Sequence, residues 1–161
     1  MTRINVVEVK YLTNEWLLAE YRELLRVPNK IISGKTRLDK TRIPSSYRMG
    51  KGHEIFFHDK LKWLHKRHEQ LKTECIKRNI NINTSYSFDY DNLPPHAKKY
   101  FYNDWKVTTK DQTVNTDRLK ERFSLRKKSY SFTEVVLVDN KRFFTKIKID
   151  NRYTLAVLCK L

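Results

Sequence analysis

The stretch that decides the fold is the front end, Met1-Thr2-Arg3-Ile4-Asn5 followed by Asn14-Glu15-Trp16-Leu17-Leu18-Ala19-Glu20-Tyr21-Arg22-Glu23-Leu24-Leu25-Arg26. Trp16, Leu17 and Leu18 are apolar on a helical period, and Thr13 or Asn14 can cap the helix by satisfying an orphan first-turn N–H. The pattern predicts a helix from about Asn14 to Arg26. Pro28 stops or bends it, because a proline ring clashes with a continuing helix. Arg22 and Arg26, four apart, share a helical face, and Glu23 lies three before Arg26. One short helix thus presents a carboxylate bracketed by guanidiniums.

The rest of the chain supports a basic, mainly helical protein. Lys and Arg number 34 against 18 acidic residues, a formal charge of +16 on 161 residues. Such an excess favours a polyanionic partner, nucleic acid first, over a small neutral substrate. At 39% hydrophobic residues the chain can bury a core. Cys75 and Cys159 have no metal spacing, and Cys75 reads as a reduced core residue. No signal core or membrane-length apolar run occurs, so a soluble intracellular protein that avoids membranes is expected.

Residues 29 to 52 are basic and irregular and hold all three glycines. They form either a solvated loop or one whose Gly50 and Gly52 let backbone amides approach phosphates. Gly34-Lys35-Thr36 lacks the upstream glycine of an NTP-binding loop. Residues 54 to 79 predict the longest helix, with Phe57, Leu61, Leu64, Leu71, Cys75 and Ile76 toward the core. His58, His65 and His68 lack an acidic or cysteine partner at ligand spacing, so they are assigned to a solvated basic face rather than a metal. In the turn-rich segment 80 to 112, Asp89 and Asp91 read as turn formers and the aromatics as packing groups, with base stacking the alternative. A further helix is expected from Asp111 or Thr113 to Lys127, with Val114, Leu119, Phe123 and Leu125 as apolar contacts. Arg118, Arg122 and Arg126 align on it as a basic stripe. Residues 133–138, 142–149 and 153–159 are β-branched and aromatic runs separated by Asp139-Asn140 and Asp150-Asn151, which predicts a three-stranded antiparallel meander.

The front end resembles the bacteriophage pyrimidine-dimer DNA glycosylases, the UV-repair endonuclease V family. The likeness continues through Met49-Gly50-Lys51-Gly52-His53, Phe56-Phe57-His58-Asp59-Lys60-Leu61, Arg67, Thr73-Glu74-Cys75-Ile76-Lys77-Arg78 and Asn81-Ile82. A thin echo remains at Asp117-Arg118-Leu119-Lys120-Glu121-Arg122. The expected fold is mainly α: a compact three-helix glycosylase-like domain over residues 1–130, with the meander of residues 131–161 packed on it.

The resemblance implies a DNA glycosylase with abasic-site lyase activity on UV pyrimidine dimers in double-stranded DNA. After removal of Met1, the α-amine of Thr2 would be the nucleophile and Glu23 the acid/base carboxylate. Arg3, Asn5, Arg22, Arg26, Arg118 and Arg122 would contact the DNA. Trp16 stands where the family can carry a histidine, and would wedge into the base stack or reshape the pocket. An α-amine suits this chemistry, since its pKa of about 8 leaves more neutral amine at pH 7 than a lysine at about 10.4. Neither metal nor cofactor is required, and a monomer is expected. The same chemistry on another modified base, or a non-catalytic DNA-binding protein, are the alternatives. A metal nuclease built on Asp89 and Asp91 is a further rival.

Overall fold

The computed structural model describes residues 3–125 and 129–161. Helix α1 (Asn14–Glu23) starts as its sequence predicts, with the Thr13 side chain accepting from Trp16 N at 3.2 Å. It ends earlier than expected, and the reason lies in Pro28. Proline has no N–H to give to Leu24 O, so that carbonyl takes Val27 N in a shorter-range bond at 3.2 Å. The ladder breaks there, and α2 (Arg26–Ile32) begins with Pro28 inside its first turn, where a missing N–H costs nothing.

The long helix predicted over residues 54 to 79 is divided. Gly52, at φ 88°, opens the short helix α3 (His53–Phe56), and α4 (Leu61–Lys77) follows after a turn. The bonds shorten to a three-residue span at Phe57 and His58, and Lys60 at φ −124°, ψ 35° then leaves the helical region. Leu61, Leu64, Leu71 and Cys75 of α4 are buried against α1. The histidines depart from the solvated face assigned to them. His58 and His68 are buried, and His65 stacks on Phe88 at 4.6 Å and bonds the Tyr102 hydroxyl. His68 is taken into the α1–α4 contact, stacked on Tyr21 with ring centroids 4.8 Å apart.

Helix α5 (Pro95–Tyr100) belongs to the turn-rich segment. There Asp89 accepts from the Asn92 backbone and side chain, the turn role its sequence predicts. Trp105 packs edge-on to Phe56 and Trp63, and Phe101 is buried. Tyr86, Tyr90 and Tyr100 remain exposed. Helix α6 (Thr109–Leu125) buries Asp111, Asn115, Leu119 and Phe123 along one face. Leu125 is exposed rather than a core contact. Arg126 and Lys127 lie outside the described residues.

The C-terminal part corrects the meander. Strands β1 (Tyr130–Val138) and β2 (Lys141–Ile149) pair antiparallel, from Tyr130 opposite Ile149 to Val138 opposite Lys141. Asp139 and Asn140 both have positive φ, 48° and 62°, as a two-residue hairpin turn requires. The third predicted strand is instead helix α7 (Arg152–Cys159). Asn151 caps it by accepting from Thr154 N at 2.9 Å, and Leu155 and Cys159, four apart, are its buried residues. The β-branched composition there is overruled by a cap and a helical burial period. Among the described residues the structure is therefore mainly helical with one two-stranded antiparallel sheet. The core is one cluster running from Ile4 through Leu17, Leu64 and Phe123 to Leu155 and Cys159.

Candidate active site

The site begins with an extended N-terminal segment held entirely by side chains from elsewhere. Residues 4–7 are buried but belong to no sheet, so their backbone groups need other partners. Ile4 N donates to His53 Nε2 at 2.9 Å, and Ile4 O accepts from the Tyr47 hydroxyl at 2.9 Å. Val6 N and Val7 N both donate to Asn115 Oδ1, at 2.7 and 3.1 Å. Val7 O accepts from Arg67 Nη1 at 2.7 Å. Four side chains, from Tyr47, His53, Arg67 and Asn115, thus clamp residues 4–7.

A buried charge network supports the clamp. Arg67 on α4 grips Glu20 on α1 with two bonds, Nε to Oε1 at 2.9 Å and Nη2 to Oε2 at 3.1 Å. Both are nearly inaccessible, Arg67 at 3% and Glu20 at 1%. Asn5 Nδ2 donates to Glu20 Oε2, and Asn115 Nδ2 donates to Asn5 Oδ1, each at 2.9 Å. Every amide in this chain has a donor facing an acceptor, which fixes both orientations. A buried ion pair that left lone pairs unmet would be costly; here the asparagines meet them.

His53 has one tautomer compatible with its neighbours. Nε2 accepts from Ile4 N–H, so the proton sits on Nδ1 and is donated to Arg48 O at 2.7 Å. Burial pushes its pKa below the ordinary 6.5, against opposing pulls from the Arg48 carbonyl, Glu20 and Glu54. Burial likewise lowers His58 and His68. Each is favoured neutral in the fold and free to protonate when unfolded. Their contribution to stability is therefore complete above pH 6.5 and is lost as pH falls below it toward the lowered folded pKa values. Urea denaturation from pH 8 to pH 4.5 should show this decline, and His53→Gln, which keeps an acceptor, should flatten part of it. A wild-type stability constant across that range would refute the assignment.

On the clamp's open side, the start of the segment meets the end of α1. Arg3 N donates to Glu23 Oε2 at 3.3 Å, and Arg26 Nη1 lies 3.9 Å from Glu23 Oε1. The Glu23 side chain is 23% exposed, so one carboxylate oxygen meets the chain's front end while the group remains reachable. Beside it, Arg3, Arg118 and Arg122 line a cleft with Trp16, Gly50 and Leu119. Burial, followed by the charges of Arg3 and Arg118, lowers the Arg122 pKa, against weaker opposing pulls from Tyr130 and Glu121. Arg118 is partly neutralised by Glu121 at 2.7 Å. Gly50 at φ 73° has open space where a Cβ would stand, so backbone can be approached there.

The residues singled out from sequence are placed differently. Arg3, Glu23 and Arg26 come together, and Arg3, Arg118 and Arg122 share the cleft. Asn5 and Trp16 also line it but are buried, Asn5 within the charge network and Trp16 against Tyr130 with ring centroids 5.1 Å apart. Arg22 is exposed and does not line the cleft. Thr2 lies outside the described residues. Sequence reasoning did not single out Glu20, His53 or Asn115 as parts of the site. A signal existed for Glu20: it falls on the face of α1 that carries Trp16, Leu17 and Leu24, where an unpartnered charge would be intolerable. Among the described residues no group of three His, Cys, Asp or Glu side chains can hold a metal ion.

The protein, of charge +16, thus carries a guanidinium-lined cleft next to a carboxylate tied to the chain's front end. The family model described as pyrimidine dimer DNA glycosylase matches residues 1–88, more than half of the chain. The chain belongs to that family, and is a DNA-repair glycosylase by membership. Its clamp residues His53 and Arg67 fall inside the matched segment; Asn115, Arg118, Arg122 and the hairpin fall outside it. No described helix is long and apolar enough to cross a membrane.

Proposed function

We propose that this protein excises cyclobutane pyrimidine dimers from double-stranded DNA and then cuts the strand at the resulting abasic site, acting as a monomer and without a metal or cofactor. The observation that carries this reading is the 3.3 Å hydrogen bond from Arg3 N to Glu23 Oε2. That nitrogen is bonded directly to residue 2, so the carboxylate stands beside the point where a freed Thr2 amine would act. The neutral amine attacks C1′ of the dimer's 5′ nucleotide, and the N-glycosidic bond breaks with its electron pair leaving on the base. Loss of the amine proton and opening of the sugar ring give an imine, with Glu23 accepting and returning protons. The imine then acidifies C2′–H. Removal of that proton expels the 3′ phosphate by β-elimination, and water releases the enzyme.

The arginines have separate duties in this scheme. Arg3, Arg118 and Arg122 hold phosphates around the lesion, and Arg26 and Arg22 extend the basic surface along α1 and α2. Asn5 acts through the clamp rather than by touching a base. Trp16 forms part of the wall of the arginine-lined cleft; extrusion of a nucleotide beside it is cheapest where the lesion has already weakened stacking.

Borohydride trapping tests the proposal. Duplexes carrying one cis-syn thymine dimer, one abasic site or no damage are incubated with the protein and reduced. A covalent adduct on the dimer duplex that maps to Thr2 is the expected result. An adduct on the abasic duplex alone would assign the base chemistry to another lesion. No adduct on any duplex, with Met1 shown to be absent, would leave a DNA-binding protein without lyase chemistry.

A further inference from the structure

The β1–β2 hairpin is anchored at one end and bare at the other. At its root, Ser131 N and Oγ donate to the two oxygens of Glu15 at 2.7 and 2.6 Å, and Asn14 Nδ2 donates to Thr133 Oγ1 at 2.9 Å. Tyr130 packs between Trp16 and Phe123, with ring centroids 5.1 and 5.7 Å away. Past Glu134 and Thr145 the ribbon leaves the body. Leu137 is 64% exposed, Phe143 54% and Val136 50%, and Val138 and Phe144 are exposed beside them. The register places Val136 against Phe143 on one face and Val135 against Phe144 on the other, so both faces of the outer half are apolar. A two-stranded ribbon is marginal alone in water, and a contiguous apolar surface of this kind marks a binding site.

We propose that the outer half of this hairpin is a second DNA-contacting element, a ribbon that lies in a groove of the duplex flanking the lesion. The inference rests on the reading that the arginine-lined cleft faces DNA. Three features select DNA as the occupant. Strand β2 interleaves its exposed aromatics with Lys141, Arg142, Lys146 and Lys148 and carries no acid. The root is continuous with the cleft, since Trp16, which lines it beside Arg122, packs on Tyr130 with ring centroids 5.1 Å apart. A two-stranded ribbon also fits the major groove, where lysines and arginines reach phosphates and apolar side chains meet thymine methyls. A second copy of the chain is the weaker occupant, because pairing would bring together two molecules each of charge +16. The strands span roughly 30 Å, at about 3.3 Å per residue, so the exposed half reaches several base pairs beyond the cleft.

The test compares duplexes of about one and about three helical turns, each with a central thymine dimer. Binding of the full-length protein is read by fluorescence anisotropy, and oligomeric state by sedimentation. Phe143→Thr/Phe144→Thr keeps β-formers at exposed positions. It should weaken binding to the long duplex about tenfold and leave the short duplex unchanged. Lys141→Ala/Arg142→Ala, an independent change at the tip, should reduce the salt dependence on the long duplex by about two phosphate contacts, a slope change of about 1.8. Long-duplex affinity and salt slope unaltered in both variants would overturn the hairpin proposal while leaving the cleft's DNA role intact. A wild-type dimer that Phe143→Thr/Phe144→Thr dissolves, with DNA binding unaltered, would assign the surface to self-association. A wild type that binds neither duplex would instead overturn the reading of the cleft, and the hairpin proposal with it.

Discussion

Glu23→Gln should lower strand cleavage at a pyrimidine dimer by roughly 10²–10⁴-fold, the range general acid–base groups supply, while duplex affinity stays equal or rises slightly. The amide is nearly isosteric and retains an oxygen that can accept from Arg3 N, so the contact at 3.3 Å survives. What disappears is the ability to take a proton at the amine and at C2′. Affinity should not fall, because the substitution removes a negative charge from beside Arg26 and the arginine cleft. Single-turnover cleavage separates this chemical effect from binding, which anisotropy measures in parallel. A variant that cuts within threefold of wild type would remove Glu23 from the mechanism. One that loses cleavage and affinity together would make it a structural residue instead. Salt is a control rather than a discriminator, since affinity should fall steeply with ionic strength whichever residue does the chemistry.

Arg67→Ala should be among the most destabilising single substitutions in the protein, costing about 3–5 kcal/mol. Truncation strands the Glu20 carboxylate at 1% exposure with only Asn5 donating to it, and deprives Val7 O of its donor. For a chain of this size each kcal/mol corresponds to about 2–4 °C, so melting should drop by roughly 6–20 °C. Combining Arg67→Met with Glu20→Gln should recover part of the loss, because the buried charge is then absent rather than unpaired. Urea unfolding of the two variants gives the comparison directly. A cost under about 1 kcal/mol for Arg67→Ala would show that water or a shifted side chain replaces the guanidinium. The folded fraction of the variant also reports on function. If the clamp orients the front end toward Glu23, turnover should fall further than binding does.

The buried network serves an extended segment, residues 4–7, that no strand pairs with. Side-chain donors and acceptors from α1, α4 and α6, with Tyr47 and His53, take the place of a neighbouring strand. Arg3, Ile4 and Asn5 at its start line the cleft.

Local features were legible in the amino-acid sequence because they depend on neighbours in the chain. Thr13 capping α1, the turn at Asp139-Asn140, the stripe of Leu61, Leu64, Leu71 and Cys75 on α4 and the existence of α6 all follow from periods and caps within a few residues, whereas Ile76, expected in that stripe, is exposed and α6 starts earlier than expected, at Thr109. The basic character and the family were equally plain, since charge totals and ordered motifs need no coordinates. Where local signals competed, the reading failed. Residues 153–159 favour strand by composition, yet Asn151 and the spacing of Leu155 and Cys159 make them a helix. The break between α3 and α4 lies in the backbone of Phe57–Lys60, which no periodicity announces. What only the tertiary structure decided is the clamp: Asn5, Glu20, Arg67 and Asn115 are separated by up to 110 positions and meet through buried hydrogen bonds. Such bonds form because desolvated polar groups must find partners, and which partners they find is set by how the helices pack, not by the spacing of residues along the chain.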